Sequence, residues 1–207
     1  MGLRTRIVCC GIVGACTVYT AVMPDLHAQP TATSSATPAP AASGTSASAE
    51  PAAGVPPTAA PDQAALLQAK DPQLAANKKL VFDMWRAIIQ GGHTELAPKY
   101  FKESYIQHNP NVATGRDAMV AYMQQTRPVR PISPQITFPV IAIMAEGDLV
   151  MVATVSYTDD PENPGQKYAG THFDMFRIED GKIAEHWDSV AKGRAALHYD
   201  PNTQNKP

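Results

Sequence analysis

The stretch that most constrains the fold spans residues 168–188. Two runs rich in aromatic and β-branched residues flank residues 179–182, which predicts a β-hairpin whose turn contains Gly181. A type I turn with Gly181 in the left-handed conformation gives a three-residue loop, in which Ile178 faces Lys182. We favour this loop over a two-residue type I′ turn at Asp180 and Gly181, whose one added gain is to bring Glu179 opposite Lys182.

The turn decides which side chains of the hairpin share a face. The three-residue loop pairs Asp174 with His186 and His172 with Asp188, so all four ionisable side chains lie on one face. The type I′ alternative shifts the pairing by one residue and separates the first strand's pair from the second strand's pair. The preferred register therefore predicts one polar face on the hairpin.

This face combines histidines and aspartates, and such groups can titrate near neutral pH and transfer protons. The set is His172, Asp174, His186 and Asp188. Antiparallel sheets also have solvated faces, on which a cross-strand His–Asp pair is a surface ion pair of little energetic value. We interpret the four residues as a catalytic or ligand-binding group and keep the surface interpretation as the alternative.

The N-terminal segment predicts export. Arg4 and Arg6 precede an apolar run, and residues 26–28 end on a small residue, so residues 1–28 are predicted to be a signal peptide. The predicted location is periplasmic or extracellular. In the alternative, Cys16 is lipidated in a lipoprotein-like motif and tethers the chain to a membrane.

Composition narrows the possibilities further. All three cysteines lie in the predicted leader, so cleavage would leave neither disulfides nor a thiolate site. The net charge of −2 argues against nucleic acid as a partner. Residues 29–62 are rich in Pro, Ala, Ser and Thr and are predicted to be a disordered spacer, followed by a folded domain at 63–199 and a flexible tail at 200–207.

The folded part begins with a series of helices. A short helix is predicted over residues 62–70, and Asp71 then caps an amphipathic helix that ends at Gly91 and Gly92. Two further helices are predicted over residues 95–101 and 115–126. Trp85 lies on the apolar stripe of the long helix, where core packing competes with a role in ligand binding.

Strands dominate the rest of the domain. Residues 135–145 and 149–157 are predicted to be strands joined by a short loop at 146–148, and the hairpin of residues 168–188 follows. Helices followed by an antiparallel meander indicate an α+β fold, in which a curved sheet wraps the helices around an internal pocket. Residues 105–110, Tyr-Ile-Gln-His-Asn-Pro, are too polar for core and are predicted to form the lip of that pocket.

Two motifs resemble a known family. The segment Y-I-Q-H-N-P at 105–110 and the segment H-F-D-M-F-R-I-E-D-G-K-I-A-E-H-W-D at 172–188 resemble the SnoaL-like proteins of the nuclear transport factor 2 superfamily. The resemblance implies a cone-shaped α+β fold, a homodimer and a deep, mostly apolar pocket. In the polyketide cyclases of this group it implies aldol closure by a carboxylate acid/base, without metal or organic cofactor.

The resemblance and the residue pattern together give three functional hypotheses. In the first, an enzyme removes a proton α to a carbonyl, with a raised pKa on the preferred base, Asp174. In the second, an exported protein binds a small apolar or polyketide-like molecule without turnover. In the third, His108 joins the hairpin group as a metal site. The predicted catalytic residues are Asp174, His186, Asp188 and His172, and the predicted substrate-binding residues are Tyr105, His108, Asn109, Trp85 and Trp187.

Overall fold

The computed structural model describes residues 54–193 and 200–207. The predicted signal peptide and most of the predicted spacer lie outside the described residues, and the domain boundaries stay predictions. No helix in the described part of the chain is long and apolar enough to span a membrane.

The helices come first, as predicted, and their caps are those expected from the sequence. Asp62 caps α1 (Gln63–Leu66), and the Asp71 side chain accepts a hydrogen bond from the Gln73 N–H at the start of α2 (Pro72–Met84). The helix then continues as a π-helix over Trp85–Gln90 and ends before Gly92, whose φ is +70°. The first helix, α1, ends at Leu66 and is shorter than the helix predicted over residues 62–70.

The predicted helix at residues 95–101 has a different form. A 3₁₀ turn covers Thr94–Leu96, α3 covers Ala97–Tyr100, and β1 (Phe101–Gln107) begins at once. Pro98 accounts for the shortness of α3, because proline is favourable only in the first turn of a helix. The predicted helix at 115–126 is confirmed as α4 (Arg116–Thr126).

Four antiparallel strands complete the sheet: β2 (Val140–Glu146), β3 (Leu149–Asp159), β4 (Lys167–Glu179) and β5 (Lys182–Asp188). Their order is β1-β5-β4-β3-β2, and β1 pairs with β5 in parallel. The strand predicted at 135–145 is shorter than expected, since it begins only after Pro139. The β2–β3 turn is also tighter than predicted, because Glu146 pairs directly with Leu149.

The sheet and helices enclose one apolar core. α2 lies against β2 and β3, while α4 lies against β1. Val81, Met84 and Ile88 of the long helix are fully buried and are spaced to form one stripe. The curved sheet with its helices confirms the predicted α+β fold.

The β4–β5 hairpin differs from the preferred prediction. Glu179 pairs with Lys182, and Asp180 and Gly181 have φ of +53° and +70°, so the turn is a two-residue type I′ turn. The prediction of a three-residue loop was therefore wrong. Asp-Gly suits this turn, since both of its central positions require positive φ.

A β-bulge then restores the predicted face. Ile178 pairs with Ile183, but Arg177 pairs with Glu185, which leaves Ala184 as an extra residue in β5. Both Ile183 and Ala184 are buried, as expected where the alternation of faces breaks. The bulge offsets the one-residue shift of the type I′ turn, so the four ionisable residues share one face although their direct pairings differ from those predicted.

The C-terminal residues are packed onto the domain, unlike the predicted flexible tail. Asp200 forms an ion pair with Arg130 at 2.7 Å, and α5 (Pro201–Gln204) follows. Asn205 then hydrogen bonds to the β3 backbone, accepting from the Tyr157 N–H and donating to the Val155 carbonyl, each at 2.9 Å. These contacts join the segment to β3 and to the loop that follows α4.

Candidate active site

A cavity of about 820 Å³ lies between the inner face of the sheet and the helices. Its size falls within the usual range of small-molecule sites. The walls carry aromatic and sulfur-containing side chains, among them Phe101, Met119, Tyr122, Met123 and Phe138. The predicted site residues that line it are His172, Asp174, His186, Asp188, Tyr105, Asn109 and Trp85.

Asp174 lies at the centre of the polar wall, between two imidazoles. Its Oδ1 is 3.0 Å from Nε2 of His186, and its Oδ2 is 3.6 Å from Nε2 of His172. Burial favours the neutral acid, but the hydrogen bonds and charges of both histidines outweigh burial and lower the pKa of Asp174 to about 2. The hydrogen bond to Asp174 in turn raises the pKa of His172 against the opposing effect of burial.

This result corrects the hypothesis of a raised pKa on Asp174. Burial is the largest single effect and would raise this pKa, but the two imidazoles within reach of the same carboxylate together outweigh it. Asp174 is therefore held as a carboxylate, and both of its oxygens face a histidine.

Gln107, which was predicted only as part of the pocket lip, orients His186. The Asn109 backbone N–H donates to Oε1 of Gln107 at 3.0 Å, which identifies that atom as the amide oxygen. His186 Nδ1 lies 2.9 Å from the same oxygen and must donate to it. His186 Nε2 lies 3.0 Å from Asp174 Oδ1, so both ring nitrogens of His186 face an oxygen.

Asp188 also lines the cavity, and its two carboxylate oxygens differ in their partners. Its Oδ2 accepts from Asn109 Nδ2 at 2.6 Å, whereas its buried Oδ1 has no partner among the residues that the structure describes. Asp188 stands directly opposite Asp174 in the hairpin. Asp188 thus brings to the cavity wall a carboxylate with one oxygen that no described residue engages.

Tyr105 supplies a neutral donor to the same wall. Its side chain is buried, and Gln107 Nε2 donates to its hydroxyl oxygen at 3.0 Å. Burial, followed by the charges of Asp188 and Asp174, raises the pKa of the Tyr105 phenol. The hydroxyl therefore keeps its proton, which it can donate to a ligand oxygen.

His108 and Trp187 lie outside the cavity, so their predicted place in it is wrong. The two rings stack on each other at 4.6 Å with an interplanar angle of 4°, and His108 Nε2 is 2.9 Å from Glu185 Oε2. Along β1 and the residues after it, Tyr105, Gln107 and Asn109 face inward. Strict alternation of faces would have excluded His108 and identified Gln107.

The same cluster has some of the geometry of a metal site. His172, Asp174 and Asp188 each place one possible ligand atom within 4.8 Å of the other two. His186 is engaged through both ring nitrogens, and His108 is directed away, so neither adds a ligand in this arrangement. One imidazole and two carboxylates are donors suited to a divalent cation.

Comparisons with known proteins identify the class to which this fold and site belong. The family model described as SnoaL-like polyketide cyclase matches residues 79–193, which is more than half of the chain. The chain belongs to this family. Among curated proteins, none matches the sequence.

Solved structures give partial likenesses. TsrD from Streptomyces laurentii is 20% identical with a TM-score of 0.38, covering 58% of this chain and 90% of that chain. Wild-type IdmH from Streptomyces antibioticus is 21% identical with a TM-score of 0.39, covering 58% and 95%. A protein of unknown function with a cystatin-like fold from Xanthomonas campestris is 20% identical with a TM-score of 0.42, covering 58% and 96%.

Proposed function

We propose that this protein binds a small, largely apolar carbonyl compound and removes a proton from the carbon α to the carbonyl, as in aldol-type cyclisation or isomerisation. The observation that carries the proposal is a carboxylate, that of Asp188, on the wall of an aromatic cavity, with one oxygen that no described residue engages. A carboxylate oxygen with no competing donor is a suitable proton acceptor.

The remaining polar residues complete the chemistry. As the Asp188 carboxylate takes the proton, negative charge develops on the carbonyl oxygen, and the Tyr105 hydroxyl donates a hydrogen bond to that enolate. His172 is a second donor, since Asp174 raises its pKa. Asp174 and Gln107 act as positioning residues, because they hold the imidazoles in place. This chemistry requires no cofactor.

The most direct test follows exchange of α-protons for deuterium. The protein is incubated in D₂O with a panel of 1,3-dicarbonyl compounds and polyketide-like esters, and NMR measures loss of the α-proton signal. We expect exchange with at least one compound and a drop of about 10²–10⁴-fold in Asp188→Asn. Glu185→Gln, on the opposite face, should exchange within about twofold of the parent and serves as the matched control.

Two outcomes would overturn this function. One is the absence of exchange across the panel, and the other is exchange that Asp188→Asn leaves unchanged. The alternative is a binding protein without turnover, which the same cavity supports. It predicts no exchange but a rise in melting temperature with ligand, because a ligand that binds only the folded state stabilises it by mass action.

We propose that the protein forms a homodimer through the outer face of the sheet. Met144, Met151, Met175 and Trp187 are successive cross-strand partners and form a row across four strands. Met144 and the nearby Phe173 are 52% and 45% exposed. Such an apolar row on an exposed face suits burial against a second copy.

Light scattering after size-exclusion chromatography tests the dimer. Met144→Asp should raise the dimer dissociation constant at least about tenfold, because it places a charge in an apolar interface. Asp117→Asn, on the fully exposed side chain of α4, is the control. A parent protein that is monomeric at micromolar concentration would contradict the proposal.

We propose export as the route by which the chain reaches its site of action. The support is the basic and apolar leader at residues 1–28 together with the confinement of all three cysteines to it. Cell fractionation should place the mature protein in the periplasm or medium. Cys16→Ser should leave that distribution unchanged, whereas a shift out of the membrane fraction would instead support the lipid anchor.

A further inference from the structure

A glycine lies on the inner face of β4, in the wall of the cavity. Gly170 stands directly opposite Ser156 of β3, two residues before His172, and all three residues line the cavity. Strand interiors favour β-branched and aromatic residues. A glycine in such a position weakens the strand, because it loses more backbone freedom on folding than other residues do. Strand stability therefore does not account for glycine at this position.

The backbone and its packing do not require glycine there either. The pairing of β3 with β4 has no register shift, so Gly170 is not part of a bulge. Its φ lies outside the left-handed region, and other residues can adopt its extended conformation. A Cβ built on Gly170 would meet Ser156 Oγ at 3.5 Å and Tyr168 Cε2 at 3.9 Å, which are ordinary contact distances. The fold therefore has room for a side chain at residue 170.

The cavity provides the remaining reason for this glycine. Glycine inside a strand often marks a place where a ligand comes close to the backbone. Side chains alternate along a strand, so a side chain at residue 170 would share the inner face with His172 and occupy part of the cavity. We call the open space over Gly170, bordered by Ser156 and Tyr168, the Gly170 notch. It lies beside one of the two proposed hydrogen-bond donors.

We propose that the Gly170 notch accepts a bulky apolar group on the carbonyl carbon of the ligand, which makes Gly170 a specificity-determining residue. Tyr168 borders the notch and is 48% exposed, so a ligand group there can cover apolar ring surface. Because His172 donates to the carbonyl oxygen in the proposed reaction, a group on the carbonyl carbon lies close to the notch. The inference rests on the proposed function, since it concerns the same cavity and the same carbonyl.

A matched pair of probes tests the notch. Acetylacetone and benzoylacetone are both 1,3-dicarbonyl compounds, and the second carries a phenyl group where the first has a methyl group on one carbonyl carbon. In NMR titrations the parent protein should bind benzoylacetone at least about tenfold more tightly, because the phenyl group buries more apolar surface. Gly170→Val should reduce this ratio to about two or less, because the valine side chain fills the notch, while acetylacetone should bind within about twofold of its affinity for the parent.

The matched control is Ala169→Val, which adds a side chain one residue earlier on the opposite face of β4. It should keep the ratio of the parent protein. Gly170→Ala should lower the ratio in the same direction by a smaller factor, and it decides the question if Gly170→Val does not fold.

Thermal unfolding separates this role from a structural one. Since the position has room for a Cβ, Gly170→Ala should raise the melting temperature by about 1–4 °C, because alanine restricts the unfolded chain more than glycine does. A fall of several degrees would overturn the inference, because it would show that the fold itself needs glycine there.

Three binding results would also overturn the inference. The ratio could survive in Gly170→Val, or this variant could weaken both probes equally, and in either case the notch does not select the ligand. If the parent protein shows no preference for benzoylacetone, the proposed ligand class is wrong. The proposed function is judged separately, by α-proton exchange and its loss in Asp188→Asn.

Discussion

The two faces of the β4–β5 hairpin carry almost the same chemistry in different surroundings. On the inner face, His186 lies 3.0 Å from Asp174 and stacks on Phe176. On the outer face, His108 lies 2.9 Å from Glu185 and stacks on Trp187. Each face thus has a histidine, a carboxylate and an aromatic ring.

Burial separates the two groups. The side chains of His186 and Asp174 are 11% and 14% exposed, whereas the side chain of His108 is 39% exposed. Water screens the outer pair, while the inner pair lies beside a largely apolar cavity in which charge interactions are stronger. The same residue types can therefore form a buried group or a surface group, and the fold determines which face of the sheet is buried.

Inserting one alanine between Glu185 and His186 should disrupt the inner face and have the largest effect. The extra residue would move His186 and Asp188 to the outer face and bring Trp187 inside. We expect a loss of more than about 4 kcal/mol in the free energy of unfolding, because Asp174 would stay buried without His186. Urea denaturation measures it.

The control is insertion of one alanine after Glu162, which lies in the exposed loop before β4. An insertion there should cost less than about 1 kcal/mol, since loops tolerate changes in length. If the β5 insertion is as stable as the loop insertion, the register of β5 does not determine which side chains face inward.

Replacing each histidine by alanine compares the two groups directly. His186→Ala should lower the free energy of unfolding by about 3 kcal/mol, because it leaves Asp174 buried without its closest partner. His108→Ala should lower it by about 1 kcal/mol, since its ion pair is partly exposed. Each change removes one stacked imidazole ring, so this loss is similar in the two variants. The difference between their free energies of unfolding, measured by chemical denaturation, should then reflect the difference in burial. Equal losses would contradict the argument.

The inner group should also make stability depend on pH. The pKa of Asp174 is lowered from 3.8 to about 2, so its contribution is present above its unfolded value and is lost as pH falls towards 2. The pKa of His172 is raised, so its contribution is complete below 6.5 and is lost as pH rises through the folded value. Stability should therefore be highest between these limits.

The loss of stability at acidic pH, here called the acid limb, should be on the order of 2 kcal/mol, because the pKa of Asp174 is lowered in the folded state. Urea unfolding at several pH values should show this loss in the parent protein and in Asp117→Asn, which alters a fully exposed carboxylate. Asp174→Asn should remove the loss and should also flatten the limb above pH 6.5. If Asp174→Asn keeps the full acid limb, the inner ion pair is not its source.

The turn gives the smallest expected effect. Gly181 has φ of +70°, and a Cβ built on it would meet no atom within 4 Å. Gly181→Ala should therefore cost only the backbone strain, about 1 kcal/mol. Gly54→Ala, where the space is also open and φ is not in the left-handed region, should change stability by less than about 0.5 kcal/mol. Thermal unfolding of both variants distinguishes them, and a neutral Gly181→Ala would mean that the turn is not under this constraint.

Local patterns in the sequence determined much of this protein. The caps at Asp62 and Asp71, the long helix up to Gly92 and the strand alternation around Gly181 are short-range features, because each depends on neighbours within a few residues. The same alternation put the four ionisable residues of β4 and β5 on one face. The family, too, could be identified from these motifs.

Tertiary structure decided what those residues do. The sequence does not show that the turn has two residues and that a bulge at Ala184 compensates for it, because the two changes cancel in the pattern of faces. It also does not show that Gln107 reaches His186, since that contact joins β1 to a residue 79 positions later. Nor does it show that Asp174 contacts two imidazoles, because the direct cross-strand pairing of Asp174 is with Asp188. Burial and hydrogen-bond partners set the pKa of a carboxylate and the freedom of a donor, and both are properties of the packed chain.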